Sequence, residues 1–205
     1  MIIRDENQII LSGCISDGFT GGHEIVGKKM YTGTMNVFRQ NNGIFDEIPV
    51  VIEEHMYKEG KGLLCSVYGE VRSRKISNSG KTMGTIYVKA AKIEYLEKPE
   101  YEDINDAYLM GKVLKVNPLI KKGLEEWKLA QILLKIKRFE MQNGYSRTDL
   151  ISCLTWNENA EMAKNIKSDQ EIKIRGKFQS WKRWCKQKQK EVTDLDILIE
   201  KLEVL

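Results

Sequence analysis

The sequence predicts an all-β protein that consists of two small Greek-key barrels in tandem. Three observations predict this fold class: an internal repeat, an alternation of apolar and polar residues with a period of two, and repeat units of about 95 residues. The 205 residues exceed one typical domain, and 41% of them are hydrophobic, which is enough for ordinary folded cores.

Short segments of the first half recur in the same order in the second half. The offset between matching segments grows along the chain, as loop insertions in a duplicated domain would produce. We therefore expect an N-terminal domain over residues 1–98 and a C-terminal domain over residues 104–205, joined near Lys98–Asp103. The matches are NQIILSG at Asn7–Gly13 with NDAYLMG at Asn105–Gly111, DEIPV from Asp46 with DLISC from Asp149, and GEVRSR from Gly69 with GKFQSW from Gly176.

The alternation also assigns the faces of the strands. A short helix is expected at NENAEMAKNI, where Asn157 can cap it, with a shorter counterpart near Glu53–Gly60. About five strands and one short helix per unit are typical of a small Greek-key barrel of the OB-fold type, and periodicity alone does not separate it from another small barrel. The residues expected to face inward are Gly33, Met35, Val37, Ala130, Ile132, Leu134, Ile136, Ile172, Ile174, Gly176 and Phe178, and those expected to face outward include Lys173, Arg175, Lys177 and Gln179.

Several classes of function are excluded by what the sequence lacks. The four cysteines are scattered without a CxxC pair, and there are only two histidines, so we expect no metal site. No P-loop, GxSxG or HExxH motif occurs, so we do not expect an enzyme. No apolar run approaches a membrane span, and MIIRDENQ lacks the features of a secretory signal, so we expect a cytoplasmic protein without a membrane partner.

The order of these motifs resembles the SSB family of bacterial single-stranded DNA-binding proteins. The resemblance is carried by N-x-x-x-L-x-G, D-x-I-P-V, GEVRSRK at Gly69–Lys75 and the segment from Trp156 to Ser180, and it covers nearly the whole chain, twice. The pattern is most similar to tandem OB-fold relatives in Firmicutes and their phages or mobile elements.

The resemblance implies cytosolic binding of single-stranded DNA without a cofactor, in an assembly of four OB domains. With two domains per chain, that assembly is a homodimer. It also implies replication or recombination proteins as partners, and a location at the nucleoid or, for a phage-encoded protein, in the host cytoplasm. Bacterial members commonly end in an acidic tail that recruits such partners, whereas this sequence ends in EKLEVL, so we do not expect docking through such a tail.

A sequence-tolerant single-strand binder needs cations that follow the phosphates and flat side chains on which bases stack. All four tryptophans lie in the second unit. Trp156 stands where the family places a stacking aromatic, and Glu53 takes that position in the first unit, so the second unit is expected to be the principal binder. Trp127 begins a strand and is expected to pack in the core or in a domain interface.

The candidate nucleic-acid-binding residues form a larger set in the second unit and a smaller set in the first. Because Trp181 and Trp184 are three apart, only one of them is expected to stack on a base. Arg39 and Arg138 end equivalent strands, where a salt bridge at a turn is the alternative role. The set in the second unit is Trp156, Trp181, Trp184, Lys135, Lys137, Arg138, Lys173, Arg175, Lys177, Lys182, Arg183 and Lys186, and the set in the first is Phe38, Arg39, Tyr68, Arg72, Arg74 and Lys75.

These residues predict a sequence-tolerant single-stranded DNA-binding protein that protects or presents strands in DNA replication, recombination, repair or transfer. The basic stretch GKFQSWKRWCKQKQK, Gly176–Lys190, is expected to continue a strand into a hairpin that closes over the bound strand. Two alternatives stay open. One is an OB-fold interaction module that docks a replication or phage protein, and the other is an RNA-binding protein, since OB surfaces stack either polymer.

Overall fold

The computed structural model of the chain describes residues 6–25, 27–39, 43–78, 81–99, 103–121, 127–138, 147–185 and 189–205. These residues form an all-β structure. The first half contains β1 (Asn7–Ile15), β2 (Thr20–Ile25), β3 (Lys28–Phe38), β4 (Phe45–Glu53), a 3-10 helix (Glu54–Met56), β5 (Leu63–Asn78) and β6 (Lys81–Tyr95). The second half contains β7 (Asn105–Lys121), β8 (Trp127–Arg138), β9 (Arg147–Trp156), α1 (Asn157–Ala163), β10 (Glu171–Cys185) and β11 (Lys190–Val204).

The two halves share one scheme of strand pairing. In the first half, β5 pairs antiparallel with β1 and β6, β3 pairs antiparallel with β4 and β1, and β4 pairs parallel with β6. In the second half, β10, β7, β11, β8 and β9 repeat each of these pairings in the same sense. Five strands with one parallel closing pair form the OB-type barrel that the repeat predicts. β2 is an addition in the first half that extends β3 at its free edge.

The faces of the strands follow the predicted alternation closely. Each residue predicted to face inward is buried, and Phe178 is among the largest fully buried side chains. Gln179 is the exception to the outward set, because it is 7% exposed. The prediction of a helix in each half is wrong for the first half, where the described residues after β4 form only a single 3-10 turn. That turn and α1 each begin directly after the strand that pairs in parallel.

The halves join through equivalent strands. β1 and β7 run antiparallel with Ile9 opposite its own counterpart Ala107, so these two strands are related by an approximate local two-fold axis. The two repeated asparagines make equivalent contacts, each within its own half. The Asn7 amide donates to the Val71 carbonyl at 2.6 Å and accepts from the Val71 N–H at 2.8 Å. Asn105 makes the same two bonds with Phe178, which is the counterpart of Val71.

A second pair of equivalent contacts links the halves, and we call it the reciprocal clamp: Arg39, Asp46 and Ser180 on one side, and Arg138, Asp149 and Ser73 on the other. Arg39 donates to both carboxylate oxygens of Asp46 at 2.8 and 2.5 Å, and the Ser180 N–H of the other half donates to Asp46 at 2.6 Å. Arg138 donates twice to Asp149, both at 2.5 Å, and the Ser73 N–H of the other half donates to Asp149 at 2.6 Å.

Among the described residues, no helix is long and apolar enough to cross a membrane. Nor does that part of the chain group three or more His, Cys, Asp or Glu side chains so that they could hold a metal ion.

Candidate nucleic-acid interface

The two tryptophans at one end of the second barrel form an aromatic pair. Trp127 is the first residue of β8 and Trp156 the last of β9, and Trp156 lies opposite Leu129 in the ladder. Their ring centroids are 6.1 Å apart with the planes at 87°, an edge-to-face arrangement that fixes both rings. Trp127 is 48% exposed, so the expectation that it packs in the core or in a domain interface is wrong. Trp127 therefore offers an aromatic surface to solvent beside the half-buried ring of Trp156.

The equivalent place in the first half holds an ion pair instead. Lys28 and Glu53 begin β3 and end β4, and Glu53 lies opposite Met30, the counterpart of Leu129. Lys28 Nζ donates to the two Glu53 oxygens at 3.1 and 3.0 Å. That hydrogen bond is the main cause that lowers the pKa of Glu53, against the smaller opposing effect of burial. The first half therefore has an ion pair where the second half has two indoles.

The second group of tryptophans lies on the β10–β11 hairpin. Trp184 is 64% exposed, whereas Trp181 is half-buried beneath Arg39 of the first half, whose guanidinium carbon lies 5.2 Å from the ring centroid. Trp181 and Trp184, which are three residues apart, thus differ in exposure, and Trp184 is the ring that solvent reaches. Lys182 adds an exposed ion pair to Glu47 of the first half at 2.6 Å. The hairpin consequently packs along the first barrel.

The two tryptophan groups lie far apart. Ile197 on β11 is opposite Cys153 on β9. Trp156 lies three residues beyond Cys153 in one direction, and Glu191, the partner of Trp184, lies six residues before Ile197 in the other. Nine residues of strand correspond to about 30 Å. A bound strand that contacts both groups must therefore run along the barrel surface.

Three arginines that the sequence predicts to bind nucleic acid instead contact the buried carboxylates of the reciprocal clamp. Arg39 and Arg138 are 11% and 14% exposed and hold Asp46 and Asp149, so the salt-bridge alternative is the one that the structure shows. Arg72 donates to Asp149 at 3.1 Å and pairs with Glu70. These side chains neutralise buried carboxylates and cannot also hold phosphates without uncovering those charges.

The remaining cations of the second half lie on the surface, most of them beside carboxylates. Exposed pairs of this kind contribute little to stability and exchange readily, so their cations stay available to a phosphate. Lys137 is exposed and Lys173 half-exposed. Lys186 lies outside the described residues. The pairs are Lys135 with Asp169, Arg175 with Asp106, Lys177 with Glu200 and Arg183 with Asp194.

The candidate nucleic-acid-binding residues of the first half differ in accessibility. Phe38 is exposed and packs against Phe45 with ring centroids 5.2 Å apart. Tyr68 is exposed beneath Lys92, and Arg74 lies over the ring of Tyr87 at 5.5 Å. The side chain of Lys75 lies outside the described part of the structure. Phe38, Tyr68 and Arg74 therefore remain accessible, whereas Arg39 and Arg72 do not.

Sequence reasoning missed a group of tyrosines in the first half. Tyr31 and Tyr57 stack with centroids 4.2 Å apart at 24°, and Lys29 lies over Tyr31. Tyr95 has Lys58 over its ring at 5.0 Å. The tyrosines come from separate segments, and only the folded chain brings them together. The signal available in the sequence was the lysine two residues before Tyr31 and one after Tyr57.

The duplicated pairing scheme defines this chain as an OB-fold protein. Two crystal structures agree with that fold. The wild-type single-stranded DNA-binding protein of Thermus aquaticus superposes with a TM-score of 0.75 at 17% identity, covering 99% of this chain and 94% of that one. A deletion mutant of the Thermus aquaticus protein gives a TM-score of 0.72 at 19% identity, covering 98% and 95%.

The sequence of the second half matches a known family. Residues 104–205 match the model of the single-strand binding protein family. No curated protein sequence matches the chain.

Proposed function

We propose that this chain is a sequence-tolerant single-stranded DNA-binding protein that protects or presents strands during DNA replication, recombination or transfer. The observation that carries the proposal is the Trp127–Trp156 pair, an exposed indole beside a half-buried one, in the half that matches the single-strand binding family. Unpaired bases stack on such rings whatever their sequence, which makes the binding tolerant. The Thermus aquaticus relatives, which are single-stranded DNA-binding proteins, support the same function.

The cations supply the second element of the site. Lys128 pairs with Glu161 next to the indoles, and Lys137 is exposed further along the same strand. Each phosphate that a lysine or arginine neutralises releases counterions, and it should contribute about −0.7 to the slope of log affinity against log salt. Binding is therefore expected to weaken steeply as salt rises.

The proposal includes an organisation into two OB domains, residues 1–98 and 104–205. The separate closure of β1 with β3–β6 and of β7–β11 supports these bounds. We further propose that two chains of 23.7 kDa assemble into a homodimer with four OB domains, that it works with replication or recombination proteins, and that it acts in the cytoplasm or at the nucleoid. Light scattering that returns the monomer mass at binding concentrations would refute the dimer.

Quenching of tryptophan fluorescence by oligo-dT, compared with oligo-U and with duplex DNA across a salt series, tests the function. We expect saturable quenching by oligo-dT that weakens with salt, and little effect of duplex. Tighter binding of oligo-U would indicate an RNA-binding protein instead. No quenching by any oligonucleotide at low salt would remove the proposal and leave an interaction module.

Substitution of Trp156 by Ala tests the site within that function. We expect a loss of about 1–3 kcal/mol in oligo-dT affinity, the usual contribution of one stacked base. Met162→Ala is the matched control, because Met162 is an exposed apolar residue on the adjacent helix. If Trp156→Ala leaves the affinity per folded molecule unchanged, the Trp156 indole packs against Trp127 and does not stack on a base.

A further inference from the structure

A cavity opens on the first half where the 3-10 helix meets the end of β6. Its volume is about 560 Å³, within the range of sites that hold small organic groups. Met56, Ala91 and Ile93 form an apolar part of the wall, and Tyr57 and Tyr95 add two aromatic rings. The site is separate from the Trp127–Trp156 pair, which belongs to the other half of the chain.

Contacts with neighbouring residues hold both rings in place. Tyr57, which is 38% exposed, stacks on Tyr31 with centroids 4.2 Å apart. The Tyr95 hydroxyl donates to the Met56 carbonyl at 2.8 Å. Rings that are fixed in this way lose little conformational entropy when a flat ligand binds against them.

The charge of the wall is positive. Lys58 and Lys92 line the cavity, and none of the described lining residues carries a carboxylate. Lys58 Nζ lies 5.0 Å from the centre of the Tyr95 ring, while Lys92 lies over Tyr68 and pairs with Glu94 outside the lining. Ammonium groups beside aromatic rings match a ligand that combines an anion with a flat ring.

We propose that this cavity binds an unpaired nucleotide of the same DNA strand that the second half holds, with the base against Tyr57 and a phosphate near Lys58 and Lys92. The proposal rests on the single-strand-binding function and gives the first half a larger role than the sequence predicts. An ion pair replaces the indoles in this half, and the tyrosine cavity supplies an alternative stacking surface beside that ion pair. An acidic peptide is the competing occupant.

The test uses the full chain with Tyr57→Ala and Lys58→Ala combined. Anisotropy titrations would compare labelled oligo-dT of about 8 and about 35 nucleotides, lengths that span one and several OB domains. We expect the long oligonucleotide to bind about 5- to 150-fold more weakly, the equivalent of one lost stacked base, with little change for the short one. Lys58→Glu alone leaves both rings in place and is expected to weaken the long oligonucleotide as well.

Two controls match these changes. Tyr57→Phe keeps the ring and its stack on Tyr31, so its affinity should stay close to that of the unaltered chain. Lys61→Ala removes an exposed lysine near Lys58 that does not line the cavity, and it should also leave affinity unchanged.

The outcomes separate this inference from the function on which it rests. If the unaltered chain binds neither oligonucleotide, the function itself fails. If it binds both, and the double variant holds the long one equally tightly, the function stands and the cavity proposal is overturned. Loss of binding to a labelled Asp- and Glu-rich peptide, with DNA affinity intact, would also overturn it and assign the cavity to a protein partner.

Discussion

Asp149→Asn is the substitution whose effect the structure defines most sharply. Asp149 is fully buried and accepts five hydrogen bonds from the described residues, two from Arg138, one from Arg72 and two from Ser73. Three of these five come from the other half of the chain. The carboxylate is therefore the negative centre of one side of the reciprocal clamp.

Loss of that charge leaves two guanidinium groups near each other with no anion between them. Removal of one partner from a buried ion pair typically costs about 3–5 kcal/mol. For a protein of this size, each kcal/mol corresponds to about 2–4 °C in Tm, so we expect Tm to fall by about 6–20 °C.

The assay is urea unfolding followed by circular dichroism and by tryptophan fluorescence. Asp194→Asn is the matched control, because Asp194 makes a similar bidentate pair with Arg183 at an exposed position and should change stability far less. Equal losses in the two variants would refute the reasoning that burial and contact between the halves make the clamp strong.

The loss of stability in Asp149→Asn depends on pH in a defined direction. Burial alone would raise the pKa of Asp149, but hydrogen bonds from Arg138 and Ser73 and the nearby positive charge outweigh it, so the pKa is lowered. The contribution to stability is thus present above the unfolded pKa, about 3.9, and is lost as pH falls through the lower folded value. The difference between Asp149→Asn and the unaltered chain should shrink in acid.

Three further predictions concern other positions of the chain. Asp196→Asn should stabilise the protein at neutral pH, because burial raises the pKa of Asp196 despite the hydrogen bond from Ser152. The gain should disappear in acid, and urea unfolding at several pH values measures this change in the free energy of unfolding. Gly176→Ala should cost about 1–3 kcal/mol by the same assay, since a Cβ there would lie 2.1 Å from the Leu198 carbonyl oxygen, whereas Gly84→Ala has open space and should be neutral. Lys28→Trp combined with Glu53→Trp should transfer the indole pair to the first half and tighten oligo-dT binding; unchanged affinity would contradict the equivalence of the two sites.

The repeat and the faces of the strands could be predicted from the sequence because both depend on local patterns. Alternation identifies the buried residues of a strand, and the segments shared by the halves contain the side chains that join them. Asn7 and Asn105, the two Arg–Asp pairs and the serines of GEVRSR and GKFQSW all make equivalent contacts. A shared residue in the repeat thus indicated a shared structural role.

The same reasoning could not find the partners of the arginines, because alternation gives only the direction of a side chain. Arg72 was predicted to contact phosphate, yet it binds a carboxylate that is distant in sequence. Arg39 shows the same limit, since Trp181 and Ser180 reach it from the other half of the chain. The Trp127–Trp156 pair and the tyrosine cavity also depend on contacts between distant segments, which no local pattern records.

Besides β2 and the length of the helix, the two halves differ in the chemistry of one outer surface. Equivalent interior positions are buried in both halves and the reciprocal clamp makes the same contacts in both, because each half needs a core and the halves meet through equivalent strands. The outer ends of β3 and β8 carry no such requirement, and there Lys28 faces Glu53 in one half and Trp127 faces Trp156 in the other. A side chain that neither fills a core nor holds the interface is free to serve a ligand. The positions that distinguish the halves are therefore the ones at which binding should be sought, and the positions that they share report on folding.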